Sequence, residues 1–377
     1  MRKLYVIAAI LPLLVLSSCQ KENNNCTNSS LIFSELITSI EDDERAIEIY
    51  NISDKTLDLS KYSIRIYQGN SSFKTISLNG SLNGKTTYVV VSSSSPDALK
   101  EKANLISDDL YYDASRAITL NKGNTQLDIL GIMNYRVDFG SYSDMVRKES
   151  FLKGRKTFVE YDYMKYIHSD YSHLGTIEYP VSEDELLEGP RLSQEDFDKP
   201  FALDDHVGNG GAMRVDLSYG VDGDTTRFNM REDLSSIGIN YNESVRYLTI
   251  NTPEIDHGYG AQPWGEAAKQ FTNNILANSQ SFAISSAKNY TIRETYGRLL
   301  AYVWVSDKNN PQPEDFTCLN FLIIKEGFST FNMLNNSRNS ETFFYKNIGM
   351  CDYMRNAESL AILLGKHVHG EQDPAFL

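Results

Sequence analysis

The chain has 377 residues, 41% of them hydrophobic and 11% aromatic, and a formal net charge of −14. This length suggests two or three domains, and the composition excludes a wholly disordered chain. The acidic balance argues against a basic scaffold that coats nucleic acid without regard to sequence. It leaves room for an enzyme that handles phosphodiesters through one local cationic site and a metal.

The N-terminal residues have the layout of a targeting segment. Residues 1–3 (Met-Arg-Lys) are cationic, and residues 4–16 are an apolar run that is shorter than the roughly 20 residues of a transmembrane helix. This pattern predicts a secretory signal. The tetrad Leu-Ser-Ser-Cys that ends at Cys19 resembles a bacterial lipobox. The resemblance implies a signal peptide over residues 1–18, lipidation of Cys19 and anchoring of the exported protein to a bacterial membrane. The alternative is an ordinary signal peptide with an incidental cysteine.

The next residues and the remaining cysteines give weaker indications. Residues 19–30 are polar and rich in Asn, which is typical of a flexible tether. After lipidation of Cys19, three cysteines remain, namely Cys26, Cys318 and Cys351. Exported proteins can keep disulfides, so Cys318 and Cys351 could pair, or both could be buried thiols. The sequence contains no CxxC or Cys/His cluster that would support a zinc site.

The first half of the chain reads as short strands divided by turns. Residues 46–50 and 62–67 alternate with period two, and residues 87–91 and 126–130 are further runs rich in β-forming residues. Asn-Gly and similar turn signals separate them. Several short strands without a helical pattern predict a β-sandwich.

Four short segments of this half resemble the lamin tail domain, an immunoglobulin-like module that bacteria attach to exported nucleases. The segments are Ile32–Leu36, Glu48–Asn51, Leu57–Ser60 with Tyr62, and Val146–Lys148. The resemblance covers residues 31–178 and implies an immunoglobulin-like β-sandwich with a binding or positioning role. Residues 179–200 are acidic and are predicted to be a linker to a second domain over residues 201–377.

The second half contains four motifs whose order matters. They are a carboxylate-rich turn (Tyr219–Thr225), a strand that runs into Asn-Thr-Pro-Glu (Val245–Glu254), a helix start (Trp264–Ala268) and the segment Thr295–Tyr302. Each motif alone is more often a turn, a strand end or a solvated charge than a functional site. Phosphodiester cleavage needs neutralised phosphate charge, an activated water and a positioned scissile group. Arginines and hard oxygen ligands supply those needs if the fold brings them together.

This order of motifs resembles the staphylococcal nuclease family. The similarity covers Leu217 to His369 and includes a short helix within Asn320–Phe328 and a last helix near Met350 to Leu364. The resemblance implies a five-stranded oligonucleotide-binding (OB) barrel with packed helices. The expected molecule is therefore mainly β, with an immunoglobulin-like β-sandwich followed by this barrel.

The resemblance also implies a calcium site whose ligands are Asp224, Asn251, Thr252 (through its carbonyl) and Glu254. Asp222 would support the metal loop without binding the ion. Asn251 departs from the family pattern, which usually has Asp there, so the site has one formal negative charge less. Calcium accepts amide oxygens, but the charge of the ligands tunes its affinity.

Three catalytic residues are implied in the same way. Arg246 and Arg298 would clamp the phosphate, and Glu254 would hold the attacking water and serve as its base. Tyr296 would lie beside the bound nucleotide. The sequence thus predicts an exported, lipid-anchored, calcium-dependent nuclease acting on DNA and RNA.

Two other readings compete with this one. In the first, the barrel is catalytically weak and the lipoprotein binds nucleic acid or a surface, which Asn251 and the acidic net charge favour. In the second, the first domain is an adhesin and the barrel is a passenger. The combined presence of Arg246, Glu254 and Arg298 favours the enzyme.

Overall fold

The computed structural model describes residues 25–39, 43–140, 144–166, 171–177, 179, 181–256, 260–332, 344–346, 348–370 and 372–376. The predicted signal peptide, Cys19 and most of the predicted tether lie outside these residues. The chain divides into two compact units, Met1–Pro180 and Val181–Leu377. In the described part of the chain, no helix combines the length and the apolar character that a membrane crossing requires.

The regular secondary structure in the described part of the first unit is mainly strands. They are β1 (Leu31–Ser39), β2 (Glu44–Asn51), β3 (Leu57–Asp58), β4 (Tyr62–Tyr67), β5 (Phe73–Ser77), β6 (Ser81–Leu82), β7 (Thr87–Ser92), β8 (Leu105–Ser107), β9 (Ile118–Lys122), β10 (Thr125–Leu130), β11 (Asp144–Arg147) and β12 (Tyr163–Tyr166), with the short helix α1 (Asp97–Lys100) after β7. One sheet has the order β12-β11-β1-β2-β7-β8, a second has the order β10-β9-β4-β5, and β3 pairs with β6. The four predicted strand segments all lie within these strands.

The two larger sheets of this unit share one hydrophobic core. Along β4 the buried residues Ile64 and Ile66 alternate with half-buried ones, as expected of a strand with one covered face. They pack in the same cluster as Phe33 and Ile49 of the other sheet and Leu120 of β9. Two sheets thus lie around one core, as they do in a β-sandwich. The immunoglobulin-like topology and the likeness to lamin tail domains stay predictions.

The opposite face of the first sheet carries a pair of buried carboxylates. Glu35 of β1 lies directly across from Glu48 of β2, and both are buried. Ser34 Oγ donates to Glu48 Oε1 (2.7 Å) and the Gly175 N–H donates to Glu48 Oε2 (2.8 Å). His173 Nε2 lies 2.9 Å from Glu35 Oε1. Burial, followed by the charge of Glu35, raises the pKa of Glu48 to about 7.

The second unit combines strands and helices. Its described strands are β13 (Ala212–Gly220), β14 (Thr225–Met230), β15 (Asn242–Tyr247), β16 (Ile250–Asn251), β17 (Ser281–Ser285), β18 (Leu299–Ser306), β19 (Thr317–Cys318), β20 (Thr330–Phe331), β21 (Phe344–Tyr345) and β22 (Ile348–Gly349). Its helices in that part are α2 (Glu183–Glu188), α3 (Gln194–Asp198), α4 (Gly265–Asn278), α5 (Leu319–Lys325) and α6 (Met350–Leu364). Helices α2 and α3 fall within the segment 179–200, where a linker was predicted.

Five strands of this unit pair in a ring. Strand β13 pairs with β14 and β17, β14 with β15, and β17 with β18, all antiparallel. The ring is closed by parallel pairing of β15 with β18, in which Arg246 lies across from Leu300. A five-stranded barrel is the architecture of the OB-fold. Along β15 the residues Glu243, Val245 and Tyr247 are buried and the alternate residues are half-buried, so one face of the strand lines the interior.

Two glycines lie at helix ends of the second unit, and one of its cysteines is a buried thiol. Helix α4 begins at Gly265, where a Cβ would come within 2.4 Å of the Glu254 carbonyl oxygen. Helix α6 is followed by Gly365, whose φ of +61° is the left-handed conformation that glycine adopts after helix ends. Cys318 at the end of β19 is a buried thiol and is not part of a disulfide. Burial raises its pKa to about 12.

Candidate active site

A tight turn between β13 and β14 holds two carboxylates. The N–H groups of Val221 and Asp222 donate to the Thr225 carbonyl (3.0 and 3.3 Å), and Asp222 Oδ1 accepts from the Asp224 N–H (3.0 Å). A Cβ on Gly223 would lie 2.7 Å from Thr252 Oγ1, so only glycine lets Thr252 approach this closely. Asp222 therefore shapes the turn, and its support of a metal loop stays a prediction.

The Asp224 carboxylate is buried and has partners on both sides. Its Oδ2 accepts from the Thr252 N–H (2.7 Å) and from Thr252 Oγ1 (2.9 Å). Its Oδ1 forms an ion pair with Arg246, which faces this turn because Arg246 lies across from Thr225 in the β14–β15 pair. The second amino group of Arg246 donates to Asn251 Oδ1 (2.6 Å). One guanidinium thus joins Asp224 and Asn251.

Arg298 comes to the same place through the parallel pairing of β15 and β18. It immediately precedes β18, and its Nη1 donates to Thr225 Oγ1 (3.3 Å). Its Nε and its backbone N–H both donate to Glu294 Oε1 (3.1 Å each). Burial alone would raise the pKa of Glu294, but a hydrogen bond from the Tyr296 backbone, the two from Arg298 and the Arg298 charge lower it. Glu294 therefore holds Arg298 in place as an ionised carboxylate.

The charges of the site act on one another. Burial, and then the nearby charge of Arg298, lowers the pKa of Arg246, while Asp222, Glu254 and Glu294 oppose that shift. Burial raises the pKa of Asp222, and the two arginines oppose the shift. Arg246 remains charged despite its lowered pKa. Two cationic side chains held this close together favour an anion between them.

Two of the predicted residues stand apart from this hydrogen-bonded group. Glu254 is solvent-exposed, and its backbone is fixed by reciprocal hydrogen bonds with Gln262 (2.9 Å each). Tyr296 is 87% exposed. Neither side chain makes a hydrogen bond within the described part of the chain. The structure therefore brings together Asp224, Arg246, Asn251, Thr252 and Arg298, and it places Glu254 close enough to influence Arg246.

The predicted donor set has the chemistry of a calcium site but little negative charge. Among the described residues, no three His, Cys, Asp or Glu side chains form a group that could hold a metal. The predicted ligands include only two such residues, Asp224 and Glu254, since the others are an amide and a backbone carbonyl. Oxygens of Asp224 and Asn251 already face one cation, the Arg246 guanidinium. All the candidate donors are oxygens, which is the chemistry that calcium prefers, so the residues fit a weakly charged calcium site.

Three supporting residues were missed by the sequence analysis. They are Thr225, Glu294 and Gln262, which hold Arg298 and the backbone of Glu254. A spacing signal for Glu294 was present, because it precedes Arg298 by four residues. No comparable signal marks Gln262, whose amide oxygen accepts from the Glu254 N–H.

Comparison with known proteins identifies this region. Residues 244–347 match the family model of staphylococcal nuclease homologues. The SPbeta prophage-derived endonuclease YokF of Bacillus subtilis (strain 168) is 39% identical over 99 residues, which is 25% of this chain and 29% of YokF. Endonuclease YncB of the same organism is 36% identical over 100 residues, 26% of this chain and 42% of YncB. The thermonuclease of Staphylococcus intermedius is 36% identical over 67 residues, 18% of this chain and 38% of that protein.

The extent of these matches limits what they establish. This chain spans less than half the length of each of the three relatives. The family match includes Arg246, Glu254 and Arg298 and begins after the Asp222–Asp224 turn. The second unit of this protein therefore contains a domain similar to the staphylococcal nucleases.

Proposed function

We propose that this protein is a nuclease that hydrolyses the phosphodiester bonds of DNA and RNA and depends on calcium. The observation that carries the proposal is the convergence of Arg246 and Arg298 beside the buried Asp224 carboxylate. Arg246 lies on β15 and Arg298 immediately precedes β18, and these two strands pair only when the barrel closes. The similarity of residues 244–347 to staphylococcal nuclease homologues supports the same conclusion.

The arginines supply the phosphate clamp. A guanidinium presents paired donors that match two phosphate oxygens, and Thr225 and Glu294 orient that of Arg298. A phosphate between Arg246 and Arg298 relieves their mutual repulsion. The negative charge that grows on the phosphate oxygens during the reaction strengthens the interaction, which lowers the barrier.

The neighbouring oxygen atoms would bind the metal and activate the water. Asp224, Asn251, Thr252 and Glu254 would hold calcium, which when bound supplies Lewis acidity and orients the phosphate. The exposed Glu254 carboxylate can accept a proton from the attacking water. The water oxygen bonds to phosphorus, the P–O ester bond breaks, and the departing alcohol oxygen takes up a proton from solvent.

Turnover of single-stranded DNA and of plasmid, with calcium or with chelator, tests the proposal. Arg246→Ala and Arg298→Ala should each lower kcat by about 10³-fold or more, the range found for an arginine on a transferring phosphoryl group. Arg136→Ala, in the exposed Arg136–Asp113 ion pair of the first unit, is the control and should keep full activity. A purified, folded wild type without turnover in calcium would refute the proposal.

One observation favours a second function. Asn251 leaves the metal ligands with two carboxylates, which lowers the expected affinity for calcium. In that case the barrel binds nucleic acid or a surface and turns over little. Tight binding of oligonucleotide with negligible cleavage at saturating calcium would establish this second function.

The location of the protein and the role of its first unit complete the proposal. We infer export through the N-terminal signal, lipid attachment at Cys19 and anchoring to a bacterial membrane. The first unit serves as a lamin tail-like positioning module. The support for both is the sequence pattern described above.

A further inference from the structure

The outer face of strands β13, β14 and β15 continues beyond Arg246 and Arg298. Asn242, Ser244 and Arg246 are alternate residues of β15, so their side chains leave the same face of the sheet. Ser244 lies directly across from Arg227 of β14, which lies across from Tyr219 of β13. Directly opposite residues of antiparallel strands share a face. Tyr219, Arg227 and Ser244 therefore form a row beside Arg246.

Arg227 is the cation of this row. Its Nη1 donates to Asn242 Oδ1 (2.8 Å), and Asn242 Nδ2 in turn donates to Asn229 Oδ1 (2.7 Å). Within the described residues, Arg227 has no carboxylate at ion-pair distance, so its charge is not neutralised. It is a diagonal neighbour of Arg246, and such positions lie roughly 7–8 Å apart. That separation suits two adjacent phosphates of an extended strand.

Tyr219 adds an exposed aromatic ring at the end of the row. It is 56% exposed, although it sits within a strand and next to a cation. A single exposed aromatic residue is common on protein surfaces. Tyr219, however, lies beside an unneutralised arginine and in line with the clamp, so its ring is placed to contact a strand bound there. Exposed rings along a cationic groove are the platforms on which unpaired bases stack.

We propose that Tyr219, Arg227 and Asn242 form a binding track for an unpaired nucleic-acid strand, next to the scissile phosphate. Arg227, held by Asn242, contacts a neighbouring phosphate, and Tyr219 stacks on a base. This inference rests on the proposed nuclease function and adds a substrate class to it. A duplex cannot use Tyr219 in this way because its bases are already stacked and paired.

The experiment compares long and short substrates with the full-length protein. A fluorescein-labelled thymidine oligonucleotide of about 20 nucleotides, longer than the roughly 4–16 nucleotides that one OB-fold covers, gives Kd by anisotropy in chelator. The same oligonucleotide and a thymidine dinucleotide give kcat/KM in calcium. Variants are Arg227→Ala, Tyr219→Ala and Tyr219→Phe. Lys308→Ala, which removes another exposed cation of the same unit, is the control.

Arg227→Ala should raise Kd for the long strand about 10-fold and reduce the slope of log K against log salt by about 0.7, the value for one phosphate contact on a single strand. Tyr219→Ala should raise Kd roughly 5-fold or more, and Tyr219→Phe and Lys308→Ala should leave it unchanged. Cleavage of the dinucleotide should be the same in all variants, since it reaches only the clamp.

Three results would overturn the track. They are unchanged binding of the long strand by Arg227→Ala and Tyr219→Ala, equal losses on the dinucleotide, or competition by duplex as effective as by single strand. A failure of the proposed nuclease function looks different. In that case wild type cleaves neither substrate, while the Kd values still depend on Arg227 and Tyr219.

Discussion

Asn251 sets the amount of negative charge beside Asp224. Its amide oxygen accepts a hydrogen bond from Arg246, and its backbone N–H donates to Ser329 Oγ (2.8 Å). The side chain is therefore held where a carboxylate would face the same cation. A single change at this residue alters the electrostatics of the site while leaving its shape nearly the same.

Asn251→Asp should lower the calcium concentration for half-maximal activity by about 10-fold, since ligand charge tunes calcium affinity. It should also enlarge the calcium-induced rise in Tm, because stabilisation by a ligand grows with occupancy. Calcium titrations of turnover and of Tm measure both effects. An unchanged calcium midpoint would place residue 251 outside the metal site.

Glu254→Gln separates metal binding from water activation. Besides binding the ion, Glu254 is proposed to act on the water, so the variant should lose turnover by roughly 10²–10⁴-fold even at saturating calcium. Because the glutamine amide keeps an oxygen for the ion, most of the calcium-induced rise in Tm should remain at that concentration. The same two titrations check this outcome. A loss of the Tm response together with activity would make Glu254 a necessary ligand of the ion.

The residue types of the site were predictable from the sequence, but their contacts were not. The order of motifs identified Asp224, Arg246 and Arg298, because each lies in a short conspicuous segment. That Arg246 joins Asp224 to Asn251 depends on side-chain positions set by two strand pairings. Neighbouring motifs along a chain do not specify such a pairing.

At the scale of elements, pairing between strands decides which groups become neighbours. The alternation of residues predicted the strands and the two-sheet core of the first unit, and helical spacing predicted α4. The register between paired strands was not predicted, because it depends on where each strand ends and on bulges such as that between Phe33 and Glu35. The carboxylate pair Glu35–Glu48 is a product of register, and no sequence pattern indicated it.

This pair predicts a pH dependence of stability. The folded-state pKa of Glu48, about 7, lies above its ordinary value of 4.5, so the folded state holds a proton that the unfolded state releases. The contribution of protonated Glu48 to the stability of the folded state is complete below pH 4.5 and is lost as the pH rises through 7. Glu48→Gln should therefore stabilise the first unit above pH 8 by on the order of 1–3 kcal/mol.

Denaturant unfolding at several pH values measures this effect. At pH 4 the variant and the wild type should have nearly the same free energy of unfolding, because Glu48 is then protonated in both states. Glu101→Gln, at an exposed position of the same unit, controls for the loss of one charge. A variant that is equally or less stable than wild type above pH 8 would contradict the burial argument.

At the scale of the whole molecule, the chemistry belongs to one of two compact units. Every proposed catalytic and metal-binding residue lies in Val181–Leu377. A protein lacking residues 31–178 should therefore cleave short oligonucleotides with kcat/KM within about twofold of the full chain, a difference below roughly 0.5 kcal/mol. Loss of all activity in a folded truncation would show that the first unit contributes to the site.

The proposed anchor is tested at the same scale. Cys19→Ala removes the residue that is proposed to carry the lipid, and stable anchoring requires more than one lipid chain. The variant should therefore be released from the membrane fraction or remain unprocessed. Metabolic labelling with a clickable fatty acid should mark the wild type and not the variant. An unlabelled wild type would remove the lipid anchor from the proposal, and nuclease activity would be unaffected.

The parallel pairing of β15 with β18 has a consequence for the time at which activity appears. The two arginines are separated by 298 − 246 = 52 positions, and contacts between distant segments form slowly because the chain must first lose loop entropy. Strands β13, β14 and β15 can pair early, but they carry Arg246 without Arg298 and so provide only half of the proposed clamp. A polypeptide still leaving the ribosome therefore lacks the complete proposed clamp until β18 has emerged and closed the barrel.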